Sequence, residues 1–227
     1  MDGNSYIKGK YLIIILTSLI ISLIGFLSDS PVCFCESKQE NNVEEAVSRY
    51  LGSSKEGSAY MEQYIRLLPF AYGIEDSAFS GLTTNDLISK LRALNILPPN
   101  ITLYTEEPMR KGKIALVMVK SLSINNASLV ERLLINLFSS ETASYRAASR
   151  AKLAPRGGPG DIVTIRELAA IFIAITVRTE FRPLPISDTK IIGRFARAIL
   201  KDIISVEEVK VILELKDSNS IDTMLAM

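Results

Sequence analysis

Apolar residues recur at intervals of three and four through most of the chain, the spacing of one face of an α-helix. Stretches with this period alternate with short polar or proline-containing segments, so the pattern predicts a series of helices and connecting loops. The predicted helices cover residues 43–51, 61–68, 85–97, 110–122, 127–138, 142–153, 165–178 and 188–203.

Local signals predict several helix ends. Thr83 or Thr84 can cap the helix that follows, and Thr164 and Asp188 are placed to do the same for two later helices. Pro69 lacks a backbone N–H and disrupts the preceding helical turn, so we expect the helix before it to stop at residue 68.

The helix predicted over 127–138 carries an unusually dense apolar pattern. Leu129, Leu133, Leu134 and Leu137 recur at helical spacing. Because such a stripe usually faces the core, we expect these four side chains to point inward.

The last apolar segment, 206–215, fits two structures. Val209, Val211, Leu213 and Leu215 alternate as in a strand, while the length also suits a final helix. The fold class is therefore mainly α, with two related helix–loop–helix units and a short β-strand near the C-terminus left open as an alternative.

The N-terminus predicts export. Lys8 and Lys10 precede residues 11–27, seventeen residues without a charge, and a polar break follows. This segment suits a cleaved signal peptide or, near the lower length limit, a membrane anchor. Cys33 and Cys35 leave lipidation open as a third alternative. We expect the rest of the chain to lie outside the cytoplasmic membrane, periplasmic or extracellular, or anchored by residues 11–27.

Composition changes along the chain and predicts its domain organisation. Residues 1–35 form the signal or anchor, 36–57 a polar tether with one marginal helix, and 58–215 the helical domain. The last segment, 216–227, is expected to be a flexible tail.

The residue inventory restricts the chemistry. The chain has no histidine and no tryptophan, which excludes Ser-His-Asp catalysis and histidine-ligated zinc. Glu106 and Glu107 are adjacent and point apart, whereas a glycosidase needs two carboxylates about 5–10 Å apart across a cleft. The glycine-containing turns do not have the spacing of a phosphate-binding loop. We therefore predict no catalytic residues, no metal and no cofactor.

Charge is unevenly distributed. Residues 101–202 contain 9 acidic and 16 basic residues, while the flanking segments 36–100 and 203–227 are both acidic. A basic segment suits an anionic partner. The export signal argues against nucleic acid and in favour of a wall polymer or an envelope protein.

Two parts of the chain, residues 82–122 and 142–178, have similar patterns. Each runs from a helix through a proline turn and a loop into a second helix. Residues 109–115 align with residues 163–169, 54 positions later. Helix–loop–helix repeats bury their apolar faces against one another, which gives this similarity a physical basis.

The second helix start, V-T-I-R-E-L-A over 163–169, resembles the V-T-R-A-E-F-A helix start of the S-layer homology family. The resemblance covers about residues 82–178. Thr164 and Glu167 match the family motif at a capping-box spacing, whereas the first unit has Arg110 and Lys113 at those positions. Both units lack the family's tryptophan.

The resemblance implies non-covalent attachment to a cell-wall polysaccharide. Family members usually gather three units into one binding surface, and the helix starts contact an anionic sugar. Helix N-termini favour anions. The candidate residues for binding an anion or a partner are Arg110, Lys111, Lys113, Thr164, Arg166 and Glu167.

Three functions follow from these observations, in order of preference. The first is a non-enzymatic cell-envelope protein that binds an anionic wall polymer or an envelope partner. The second is a helical scaffold or assembly protein that binds only other protein chains. The third is an envelope hydrolase that uses carboxylates alone.

Overall fold

The structure is a computed structural model, described here over residues 36–52, 56–74, 79, 81–122, 124, 127–177 and 188–215. The predicted signal or anchor and the predicted C-terminal tail lie outside these ranges. Within them, none of the helices has the length and apolar character that crossing a membrane would require.

The described residues form nine α-helices and contain isolated β-bridges but no sheet, which confirms the mainly α prediction. In chain order the helices are α1 Glu36–Leu51, α2 Met61–Ala71, α3 Thr84–Ala93, α4 Lys111–Ser121, α5 Leu129–Phe138, α6 Glu141–Arg150, α7 Ile165–Val177, α8 Thr189–Asp202 and α9 Val206–Leu213.

The C-terminal apolar segment is helix α9, so the strand alternative is wrong. Ser205 caps α9: its hydroxyl accepts from the Glu208 N–H at 3.3 Å, and the Glu208 carboxylate accepts from the Ser205 N–H at 2.8 Å. This reciprocal capping box stabilises a helix start that the alternating valines and leucines do not reveal.

The predicted caps of α3 and α8 are confirmed. The Thr83 hydroxyl accepts from the Asp86 N–H at 3.2 Å, and the Asp188 carboxylate accepts from the Lys190 N–H at 2.7 Å. The predicted stop before Pro69 is wrong, because α2 continues to Ala71. Pro69 lies in the last turn, where its missing N–H removes only one helical hydrogen bond.

Helix α1 begins at Glu36, earlier than the marginal helix expected within the polar tether. Its residues Val43, Val47 and Leu51 are spaced by four and are all at most 4% exposed. This row of side chains packs into the common core, so residues 43–51 belong to the helical domain.

Three helix starts meet in a closed ring of backbone hydrogen bonds. The Ala59 N–H donates to the Val163 carbonyl at 2.7 Å, the Val163 N–H to the Met109 carbonyl at 2.8 Å, and the Met109 N–H to the Ala59 carbonyl at 2.8 Å. Each residue lies two positions before the first residue of its helix, α2, α4 or α7. Ala59, Met109 and Val163 are buried.

Contacts between aromatic side chains join helices α2, α7 and α8. The Phe172 ring stacks on Tyr64 and meets Phe195 edge-on, each at 5.5 Å between centroids, and Phe70 lies 6.0 Å from Phe195. Burial raises the pKa of the Tyr64 hydroxyl well above its usual value, so this side chain stays neutral.

Helix α5 departs from its predicted orientation. Leu129, Leu133, Leu134 and Leu137 were expected to face the core, yet they are 78%, 59%, 39% and 70% exposed. Ile135, on the opposite side, is the buried residue of this helix. Periodicity identified the apolar stripe correctly, but the side of α5 that packs on the protein is the other one.

Candidate functional site

The start of α7 has the capping geometry that its sequence predicts. The Thr164 hydroxyl accepts from the Glu167 N–H at 3.2 Å, and Glu167 Oε2 accepts from the Thr164 N–H at 2.9 Å. Both residues are half-buried. Two N–H groups that would otherwise be available to an anion at this helix start are therefore satisfied within the helix itself.

Lys111, the first residue of α4, is turned into the protein. Its side chain is only 7% exposed, and Nζ lies 2.7 Å from Glu167 Oε1. The same ammonium group donates to the backbone carbonyl of Arg156. Lys111 therefore links the start of α4 to the start of α7 and does not face solvent, where a polymer would bind.

The proline- and glycine-rich turn 155–161 encloses the Lys111 side chain. The Lys111 and Gly112 N–H groups donate to the carbonyls of Asp161 and Pro159, each at 2.8 Å. A Cβ at Gly112 would lie 2.9 Å from the Pro159 oxygen, so this close approach requires glycine. The turn accepts hydrogen bonds through its carbonyl oxygens, that of Arg156 from the Lys111 ammonium and the other two from backbone N–H groups. This arrangement is the opposite of a phosphate cradle, in which backbone N–H groups donate.

The Tyr145 side chain contacts this turn through its hydroxyl group. The Tyr145 hydroxyl lies 2.7 Å from the Pro155 carbonyl and 2.8 Å from the Gly157 carbonyl. The Gly158 N–H donates to the Asp161 carboxylate at 2.7 Å. These hydrogen bonds hold the turn in place over Lys111.

The Arg166 side chain also forms ion pairs within the protein. Its guanidinium lies 2.7 Å from a Glu208 oxygen and 3.0 Å from a Glu56 oxygen. Glu208 simultaneously caps α9, so Arg166 joins the start of α7 to the start of α9.

Arg110 and Lys113 remain on the accessible side of α4. Arg110 is exposed at the N-cap position, where its side chain makes no capping hydrogen bond. Lys113 is half-buried, and its ammonium lies 5.9 Å from the centre of the Tyr104 ring. Lys111, Thr164 and Glu167 are thus brought together in one internal cluster, while Arg110 and Lys113 lie outside it.

A row of cations on α8 was missed by the sequence interpretation. Lys190, Arg194, Arg197 and Lys201 follow one another at intervals of four, three and four residues, so they share one face. Arg194 is half-buried and the other three are exposed. We call these four residues the α8 cationic stripe.

The stripe is not neutralised from within the described part of the chain, where none of its four residues forms an ion pair. The opposite face of α8 is apolar and buried, with Ile192, Phe195 and Ile199 in the interior. The spacing was visible in the sequence, where no acidic residue interrupts the stripe between Asp188 and Asp202.

Acidic side chains do not converge in a comparable way. Among the residues that the structure describes, no group of three or more cysteine, aspartate or glutamate side chains is placed to hold a metal ion.

Comparison with known proteins gives no significant match to a protein-family model, a curated protein or a solved structure. Function is therefore inferred from the residues and their geometry.

Proposed function

We propose that this chain is an exported or membrane-tethered, non-enzymatic cell-envelope protein that binds an anionic polymer. The α8 cationic stripe carries the proposal. It joins four positive charges in a row on a helix whose other face is anchored in the core.

The dimensions of the stripe suit a repeating anion. Lys190 and Lys201 are eleven positions apart, which corresponds to about 16 Å along a helix. A single exposed ion pair contributes only about 0–1 kcal/mol, so a useful affinity needs several contacts made together. A polymer with carboxylate or phosphate groups along its length can make them, whereas a small anion can meet only one or two.

The number of helix starts in the ring equals the number of units that the S-layer homology family usually gathers into one binding surface. Segments 109–115 and 163–169 are similar in sequence, and segment 59–65 enters the ring at the equivalent position. On this resemblance a cell-wall polysaccharide is the favoured polymer, with Arg110 as an additional accessible cation at the start of α4.

Binding can be measured with two polyanions of different chemistry. The full chain, kept in a non-ionic detergent, is titrated against an immobilised polyuronate and an immobilised polyphosphate over increasing salt. We expect binding at low salt that weakens as salt screens the stripe. No binding to either polymer at low ionic strength would refute the proposal.

A matched pair of variants separates the stripe from overall charge. Replacing Lys190, Arg194, Arg197 and Lys201 with glutamine should weaken binding by about ten-fold or more, since several contacts of up to about 1 kcal/mol each are lost. The control replaces four cations that already form ion pairs, namely Arg49, Lys152, Arg156 and Lys210. Equal losses in both variants would mean that net charge, rather than the stripe, determines binding.

Export is tested separately by sequencing the N-terminus of the mature protein. A start at Glu36 indicates a cleaved signal, and an intact Met1 indicates a membrane anchor. Retention of the whole chain in the cytoplasm would contradict the proposed location.

A further inference from the structure

Helix α5 presents a continuous apolar surface to solvent. Its exposed residues form two adjacent rows along the helix, one spaced 129, 133, 137 and the other 130, 134, 138. We call these six residues the α5 apolar face: Leu129, Val130, Leu133, Leu134, Leu137 and Phe138, which are 39–78% exposed.

This face is large for a protein that remains monomeric. The biggest apolar patch of a typical monomer is about 300–600 Å², and such patches usually mark an interaction site. Six large side chains at these exposures account for much of the ~800 Å² per partner that a standard interface buries. The area is therefore of the size that a stable dimer needs.

The charged residues of α5 do not favour a membrane surface as its partner. Glu131 pairs with Arg150, and Arg132 Nε donates to the Ala127 carbonyl at 3.0 Å. Helices that lie in a membrane surface are rich in lysine and arginine on their polar face, and α5 has only one such residue. The face itself contains no ionisable group, so it is complementary to another copy of itself.

The order of the residues suits two-fold pairing. If two α5 helices pack antiparallel about a point between residues 133 and 134, Leu133 lies opposite Leu134, Val130 opposite Leu137, and Leu129 opposite Phe138. Every apolar residue then meets an apolar residue. The antiparallel arrangement also brings each helix N-terminus near the C-terminus of its partner, where the helix dipoles attract.

We propose that the α5 apolar face is a homodimer interface at which two copies of this chain pair through antiparallel α5 helices. The proposal is independent of the α8 cationic stripe. A dimer would place two stripes on one particle and so raise the apparent affinity for a long polymer.

In-cell photo-crosslinking of the full chain tests the interface directly. The photoreactive amino acid p-benzoylphenylalanine replaces Leu133, and the products are identified by mass spectrometry. We expect a species of twice the chain mass whose cross-link joins position 133 to residues 129–138 of a second copy. The same probe at Leu129 should cross-link near Phe138, as the antiparallel order requires.

Val211 provides the matched control. It is an exposed apolar residue, 64% exposed, on α9. A probe there should give at least ten-fold less cross-linked dimer. Leu137→Glu, at a position 70% exposed, should reduce the dimer formed by the 133 probe by at least ten-fold while the helical circular dichroism is retained.

Several results would overturn the proposal. These are adducts with lipid, cross-links to a different protein, no cross-link at position 133, and equal dimer yields from probes at 133 and 211.

Discussion

Glu167 uses its two carboxylate oxygens for two different contacts. Oε2 accepts from the Thr164 N–H, and Oε1 lies 2.7 Å from Lys111 Nζ. The capping contact with Thr164 is local and follows from a spacing of three residues. The ion pair with Lys111 depends on a residue 56 positions earlier and on the turn that encloses it, so no pattern near Glu167 predicts this contact.

The Lys111–Glu167 pair should matter for stability. Removing one partner of a buried ion pair leaves an uncompensated charge and costs about 3–5 kcal/mol; we expect about 2–3 kcal/mol for Lys111→Met, because Glu167 keeps 17% exposure. Urea denaturation monitored by circular dichroism measures this loss. The double variant Lys111→Met, Glu167→Gln should recover part of it, since glutamine can still cap α7 without a buried charge. A double variant no more stable than Lys111→Met would contradict this account.

Glu131 predicts a dependence of stability on pH. The hydrogen bond from Arg150, together with that from the Ser128 N–H, lowers the pKa of the Glu131 carboxyl from its ordinary 4.5 to about 2. Because the pKa is lower in the folded state, the carboxylate stabilises the protein above pH 4.5 and loses this effect as pH falls toward 2.

The contribution of Glu131 should be on the order of 1 kcal/mol, since Arg150 is half-exposed and salt weakens the pair. Glu131→Gln retains the capping hydrogen bond and removes only the charge. We expect its stability to fall below that of the wild type above pH 5 and to approach it near pH 2, as measured by urea denaturation. A difference that is constant with pH would exclude the charge as the cause.

At the scale of elements, the helix starts were the most predictable features. Thr83, Thr164 and Asp188 act through N–H groups within two or three residues, so short sequence windows contain all the information needed. The sequence left helix and strand open for α9, because its apolar residues alternate as in a strand. The Ser205–Glu208 capping box, which indicates a helix start, lies just before this pattern.

The orientation of a helix is less predictable than its existence. In α5 and α8 the sequence contains two distinct faces, and tertiary packing decides which one meets the protein. Helix α8 packs its apolar face inward and carries the four cations on its outer face, three of them exposed and Arg194 half-buried, as expected for a surface helix. Helix α5 packs through Ile135 and exposes its leucines, which periodicity alone cannot distinguish from an inward-facing stripe.

At the scale of the whole molecule, the ring of Ala59, Met109 and Val163 unites three distant parts of the chain. The three residues are separated by 50 and 54 positions, and each donates one hydrogen bond and accepts another. The similarity of segments 109–115 and 163–169 was visible in the sequence. Segment 59–65 was not recognised as similar to them, because its side chains differ too much. It has Tyr60 and Gln63 at the positions of Arg110 and Lys113 in one segment and of Thr164 and Glu167 in the other.

The ring should couple the three helix starts, and Met109→Pro tests this coupling. Proline removes the N–H that donates to the Ala59 carbonyl, and an unsatisfied buried carbonyl costs about 1–3 kcal/mol. If the ring acts as one unit, amide exchange should accelerate at Ala59 and Val163, 50 and 54 residues away, as well as at the start of α4. Met109→Leu keeps the N–H in the same buried position and should leave exchange at both distant amides unchanged. Acceleration confined to residues near 109 would show that the three starts fluctuate independently, and each would then have to be held by its own helix contacts.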